Sequence, residues 1–119
     1  MNLPLQITFH GVTPSAAVAA KIRGRAGRLT RYCDSIINCR VAVEAPHRHH
    51  EHGNHFRVRI EVSVPGAKLV VGHDADEHDA HADPYVAVGD AFDRVSRKLE
   101  AYTARERAYL RSRIARIRA

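Results

Sequence analysis

The chain has 119 residues with 19 Lys and Arg against 13 Asp and Glu, so its formal charge is +6 with all nine histidines neutral. A 45% apolar fraction is enough for one core at this length and excludes a wholly disordered chain, while no apolar run approaches the roughly 20 residues that span a bilayer. Met1-Asn-Leu-Pro lacks the basic and apolar regions of a secretion signal, and Cys33 and Cys39 fit neither a C-x-x-C motif nor a disulfide framework, so a cytoplasmic protein with reduced thiols is expected.

Leu5, Ile7 and Phe9 alternate with Gln6, Thr8 and His10, the period of a strand with one buried face, and Gly11 ends it. Thr13 before Pro14 reads as a helix N-cap followed by the first helical position. Val18, Ile22, Ala26 and Leu29 then repeat at helical spacing to about Tyr32. Ile37, Cys39, Val41 and Val43 alternate as a second strand, and Phe56, Val58, Ile60, Val62 and Val64 as a third. Pro65-Gly66 supplies the fixed and the permissive φ of a type II turn, which predicts a fourth strand over Ala67–His73 hairpinned to the third. Asp83 and Pro84 can cap and open a long helix whose apolar stripe is Tyr85, Val88, Phe92, Val95, Leu99 and Tyr102. The element order is β-α-β-β-β-α. It predicts an α+β fold in which a four-stranded sheet carries both helices on one face, like a double-stranded-RNA-binding domain. Residues 1–105 form this domain, and 106–119 a basic C-terminal helical extension.

Charge is segregated along the chain. Lys21 to Arg31 holds five basic residues and no acid, Asp74 to Asp83 holds five acids and no Lys or Arg, and Arg94 to Arg118 holds nine basic residues against Glu100 and Glu106. Two basic segments around a neutral middle predict one positive face. On the first helix Lys21, Arg25 and Arg28 lie at i, i+4 and i+7, opposite its apolar stripe. On the second, Arg94, Arg97, Lys98 and Arg105 lie on the outer side, so the two sets are expected to line a shared groove. The planar guanidinium fork suits bidentate phosphate binding, which makes nucleic acid the expected partner. Aromatics outside the core stripe are scarce, which favours recognition of the backbone and shape of folded RNA.

Histidine is the second feature. His47, His49, His50, His52 and His55 crowd the loop between strands two and three, and His73, His78 and His81 accompany the acidic loop. Imidazoles beside carboxylates can hold zinc, nickel or copper, but no H-E-x-x-H or similar spacing occurs, so the loop is read as a polar tip rather than a metal site. Asp74, Asp76, Glu77 and Asp79 have no glycine to build an ion-binding turn around them. No nucleophile elbow, phosphate loop or dinucleotide fingerprint is present, so neither enzyme activity nor a cofactor is expected.

Val12-Thr13-Pro14, the Leu29-x-x-Tyr32 close of the first helix, Tyr85-Val86-Ala87-Val88-x-Asp90-Ala91-Phe92-Asp93 and Arg94-Val95-x-Arg97-Lys98-Leu99 together carry a resemblance. The chain resembles the bacterial ribosome hibernation family, the hibernation-promoting factor and ribosome-associated translation inhibitor A group once called sigma-54 modulation proteins, in its short form. The resemblance covers about residues 5–105. It implies binding to 16S rRNA of the small ribosomal subunit, in the channel used by messenger RNA and the A- and P-site transfer RNAs, and inhibition of translation by occupancy. It places Arg25, Arg28, Arg94 and Arg97 at basic positions of the family, with Lys98 where the family often has Gln. Glu100 and Ala101 depart from positions that are often basic, and Arg105 and Arg107 can compensate. The alternatives are a general structured-RNA-binding domain and a His-rich metal-binding protein. Leu110, Ile114 and Ile117 recur at helical spacing among Arg111, Arg113, Arg116 and Arg118, which predicts a tail loosely helical until it meets RNA or a second copy.

Overall fold

The computed structural model describes residues 3–45, 56–75 and 83–118. The strands are β1 (Leu5–His10), β2 (Asn38–Glu44), β3 (Phe56–Val64) and β4 (Ala67–Ala75), and the helices are α1 (Ala16–Arg28) and α2 (Pro84–Arg118). A single 3₁₀ turn, Leu29–Arg31, closes α1. The sheet order is β1-β2-β3-β4, with β1 parallel to β2 and the other neighbours antiparallel. Parallel neighbours need a crossover connection, and α1 provides it. The expected α+β order and the expected helix layer are both found.

Alternation sets the two faces of the sheet. Cys39, Val41 and Val43 of β2, Val58, Ile60, Val62 and Val64 of β3, and Leu69 of β4 are buried together. They meet Val18, Ile22 and Ala26 of α1, Leu29 after it, and Ala87, Val88, Ala91, Phe92, Val95 and Leu99 of α2. Each fully buried large side chain here contributes about 1.5–3 kcal/mol relative to exposure. Burial pushes the Cys39 thiol up to about 12, because a thiolate is costly away from water. The opposite sheet face is open to solvent and carries Gln6, Arg40, Arg57, Arg59 and Lys68, all exposed.

Two glycines are required by the backbone. Gly11 has φ +69, and a Cβ there would lie 2.6 Å from the Ala45 carbonyl oxygen, so the turn after β1 admits no side chain. Gly66 has φ +82, as the second central residue of the Pro65-Gly66 turn requires.

The structure departs from the sequence reading at element ends. The cap of α1 is Ser15 rather than Thr13: its Oγ accepts the Val18 N–H at 3.2 Å, and the helix starts at Ala16. Ile37 lies just outside β2 and is exposed, while Ile36 packs against the core in its place. β4 runs to Ala75, beyond the expected His73. Asp83 caps α2 as expected, its Oδ1 accepting the Tyr85 N–H at 2.9 Å. The C-terminal segment is not loosely helical: α2 is continuous to Arg118 over about 50 Å. After Gly89 it holds no Gly or Pro and is rich in Ala and Arg, residues of strong helix preference. The Tyr102 hydroxyl donates to the Pro65 carbonyl at 3.3 Å, near the point where α2 leaves the sheet. Beyond it Tyr109, Leu110, Ile114 and Ile117 are exposed, and the molecule measures 65 × 29 × 19 Å. Among the described residues no helix is long and apolar enough to cross a membrane.

Candidate nucleic-acid interface

α1 and α2 lie side by side on the sheet, and their facing rows decide which cations meet. Lys21 and Arg25, one turn apart on α1, both reach across to α2. The Lys21 amine donates to the Tyr85 carbonyl at 2.8 Å and stands 4.0 Å from the centre of the Tyr85 ring. The Arg25 guanidinium donates to the Gly89 carbonyl at 3.3 Å and to Asp93 Oδ1 at 2.7 Å. Gly89 leaves room for the Lys21 amine, which would lie 3.0 Å from a Cβ there. Two lysine and arginine heads are thus held over the seam between the helices by fixed acceptors. Arg28 continues the row on α1 and is exposed.

The expected shared groove is only half present. Asp93 faces α1, and the next residue of a helix points about 100° further round. Arg94 therefore faces the other flank, where it donates to the Gly72 carbonyl at 3.1 Å, and Lys98 one turn later donates to the Val70 carbonyl at 3.0 Å. These carbonyls lie two residues apart on β4, an edge strand, so the two cations blunt an edge that is otherwise open to pairing. Arg97 and Arg105 are exposed on α2. Arg28, Arg97 and Arg105 make no hydrogen bond or ion pair among the described residues. Of the seven predicted cations, Lys21, Arg25 and Arg28 form a row on α1, Arg94 and Lys98 flank β4 on the far side of α2, and Arg97, one turn after Asp93, lies on the outer side of α2 between them, with Arg105 further along the helix.

Sequence reasoning missed two parts of this surface. Arg40, Arg57, Arg59 and Lys68 put further positive charge on the open sheet face, partly offset by Glu61, which lies 3.9 Å from Arg59 and 3.5 Å from Lys68. Their strand alternation with the buried set was the available signal. Tyr85 was assigned to the apolar stripe of α2, yet it is 45% exposed and borders the cationic seam. The first turn of α2 enters at the rim of the sheet, where a stripe position is only half covered.

His47, His49, His50, His52 and His55, with Asp76, Glu77, Asp79, His78 and His81, lie outside the described residues. Among the described residues no group of three His, Cys, Asp or Glu is placed to hold a metal ion.

The class is an α+β domain with a four-stranded mixed sheet whose helix layer presents cations on both flanks of α2. Within that class, the family model for the sigma 54 modulation protein / S30EA ribosomal protein matches residues 5–107. The chain belongs to this ribosome-associated family. The fold is similar to the Protein Y N-terminal domain of Thermus thermophilus, with a TM-score of 0.65 at 22% identity, covering 86% of this chain and 99% of that one. It is also similar to a ribosomal subunit interface protein from Coxiella burnetii, with a TM-score of 0.67 at 21% identity and the same coverage of 86% and 99%. A search of curated proteins gives no match.

Proposed function

We propose that this protein is a ribosome hibernation factor that binds the small ribosomal subunit through 16S rRNA. It occupies the channel of messenger RNA and the A- and P-site transfer RNAs, and it silences translation by excluding them, with no chemical step and no cofactor. The observation that carries this reading is the pair of cation rows on the helix layer of a domain belonging to a ribosome-associated family. The subunit-interface name of the Coxiella burnetii neighbour supports the same site of action. Lys21, Arg25 and Arg28 form one phosphate contact, Arg94 and Lys98 a second on the far flank of α2, and Arg97 and Arg105 extend the charge along the outer side of that helix. The separation of the rows suits a folded RNA surface that offers phosphates on two sides of one helix. Arg94 and Lys98 can exchange a β4 carbonyl for a phosphate oxygen, a stronger charge-assisted acceptor. The protein acts in the cytoplasm, where its target is.

The reading is tested by adding the purified protein to a reconstituted translation reaction. Stoichiometric protein should stop synthesis, and the double variant Arg28→Ala, Arg97→Ala, which removes one exposed cation from each helix, should need several-fold more. Full synthesis at excess wild-type protein contradicts the proposal.

A further inference from the structure

The seam between the helices has one feature that phosphate binding alone does not use. Tyr85 stands at one end of a trough of about 570 Å³, within the range of small-ligand sites of about 300–1,000 Å³. The floor is made of small residues of α1, Ala20 and Gly24, and no atom lies within 4 Å of where a Cβ on Gly24 would sit. Lys21 and Arg25 border it, and Arg28 lines it further along α1. The Lys21 amine, bonded to the Tyr85 carbonyl, covers one face of the ring 4.0 Å from its centre and leaves the other face for a base. An exposed aromatic ring beside small residues and a row of cations matches the parts of a nucleotide: a planar base with an anion attached. A duplex keeps its bases stacked inside and offers such a trough only backbone.

We infer that Tyr85 is a stacking platform for one unpaired nucleotide of a single-stranded RNA segment, with the base on the ring face that Lys21 leaves free and the strand's phosphates on the α1 cations. The cations Lys21, Arg25 and Arg28 extend over about 10 Å of α1, room for more than one phosphate, so the occupant is a strand rather than a free mononucleotide. This site rests on the RNA-binding reading above and refines it, making the RNA at this end of the surface single-stranded.

The chain has no Trp, so Tyr85→Trp introduces a single indole reporter. The probes are a single-stranded octaadenylate, a blunt RNA duplex of the same length, and AMP. Octaadenylate is expected to quench the Tyr85→Trp emission, and AMP at the same nucleotide concentration to leave it unchanged. Base–aromatic stacking contributes about 1–3 kcal/mol per base, so Tyr85→Ala should weaken octaadenylate binding about 5- to 150-fold. Its duplex affinity and the slope of affinity with salt should not change. Tyr85→Phe should bind within two-fold of the wild type, because the ring and not the hydroxyl stacks. The inference is overturned if Tyr85→Ala binds octaadenylate as the parent does, if Tyr85→Phe loses as much as Tyr85→Ala, or if AMP quenches as well as the strand. These outcomes are separable from the ribosomal reading. Small-subunit binding with a silent Tyr85 removes the stacking site alone, and Tyr85-dependent oligonucleotide binding without small-subunit binding removes the ribosomal target alone.

Discussion

Arg25 is the cation on which the helix seam turns, and its partner Asp93 makes the electrostatics measurable. Asp93→Asn keeps the side-chain shape and removes the charge 2.7 Å from the guanidinium. The Asp93 side chain is 58% exposed and that of Arg25 20%, so solvent screens the pair, and its contribution is about 0.2–1 kcal/mol. An RNA phosphate that engages Arg25 must displace this carboxylate, and removing the competitor returns that energy to binding. Affinity for small-subunit RNA should therefore rise about 1.4- to 5-fold. The Gly89 carbonyl at 3.3 Å still holds the guanidinium near α2, so orientation is retained. Fluorescence anisotropy across a salt series gives both numbers needed. Arg25→Ala should reduce the slope of log affinity against log salt by about 0.7–0.9, the share of one phosphate contact, while Asp93→Asn should keep the slope and shift the line upward. If Asp93→Asn binds more weakly than the parent and Arg25→Ala leaves the slope intact, Arg25 is a helix-to-helix strut and the phosphate assignment is refuted.

Phe92 is fully buried between α2 and the sheet, so Phe92→Ala should lower the unfolding free energy by about 3–5 kcal/mol in urea titration; a loss under about 1 kcal/mol contradicts the packing described. The Cys39 thiol has a native pKa of about 12, above its unfolded value near 9, so its contribution is complete below pH 9 and falls by up to about 1.4 kcal/mol per pH unit from there toward pH 12. Urea midpoints at pH 8 and pH 10 should show this loss relative to Cys39→Ala, and equal pH dependence in the two proteins rejects it. A chain ending after Arg105 keeps the Tyr102 anchor and should melt within a few degrees of the full chain. It should bind small subunits more weakly and with a shallower salt dependence, whereas unchanged affinity places the tail outside the binding surface.

The sheet was legible where alternation and turn chemistry agree. β3 and the Pro65-Gly66 hairpin could be read residue by residue, because period 2, fixed φ and positive φ all point to one structure. Element ends were less legible because local signals compete. Thr13-Pro14 has the composition of a cap, but the Ser15 hydroxyl wins by reaching the Val18 N–H. The cation rows were visible as composition, but their separation was not. Only the angle of α2 on the sheet decides that residue 93 meets α1 and residue 94 meets β4. Tyr85 shows the same gap, since its spacing places it in the apolar stripe while its exposure depends on where the sheet ends.

Co-sedimentation with purified ribosomal subunits tests the central claim most directly. Wild-type protein should pellet with small subunits at one copy each, fail to pellet with large subunits, and be released as salt rises. The variant Arg28→Ala, Arg97→Ala should be released at lower salt. Protein that stays in the supernatant with small subunits, or that pellets equally with both subunits, contradicts the account.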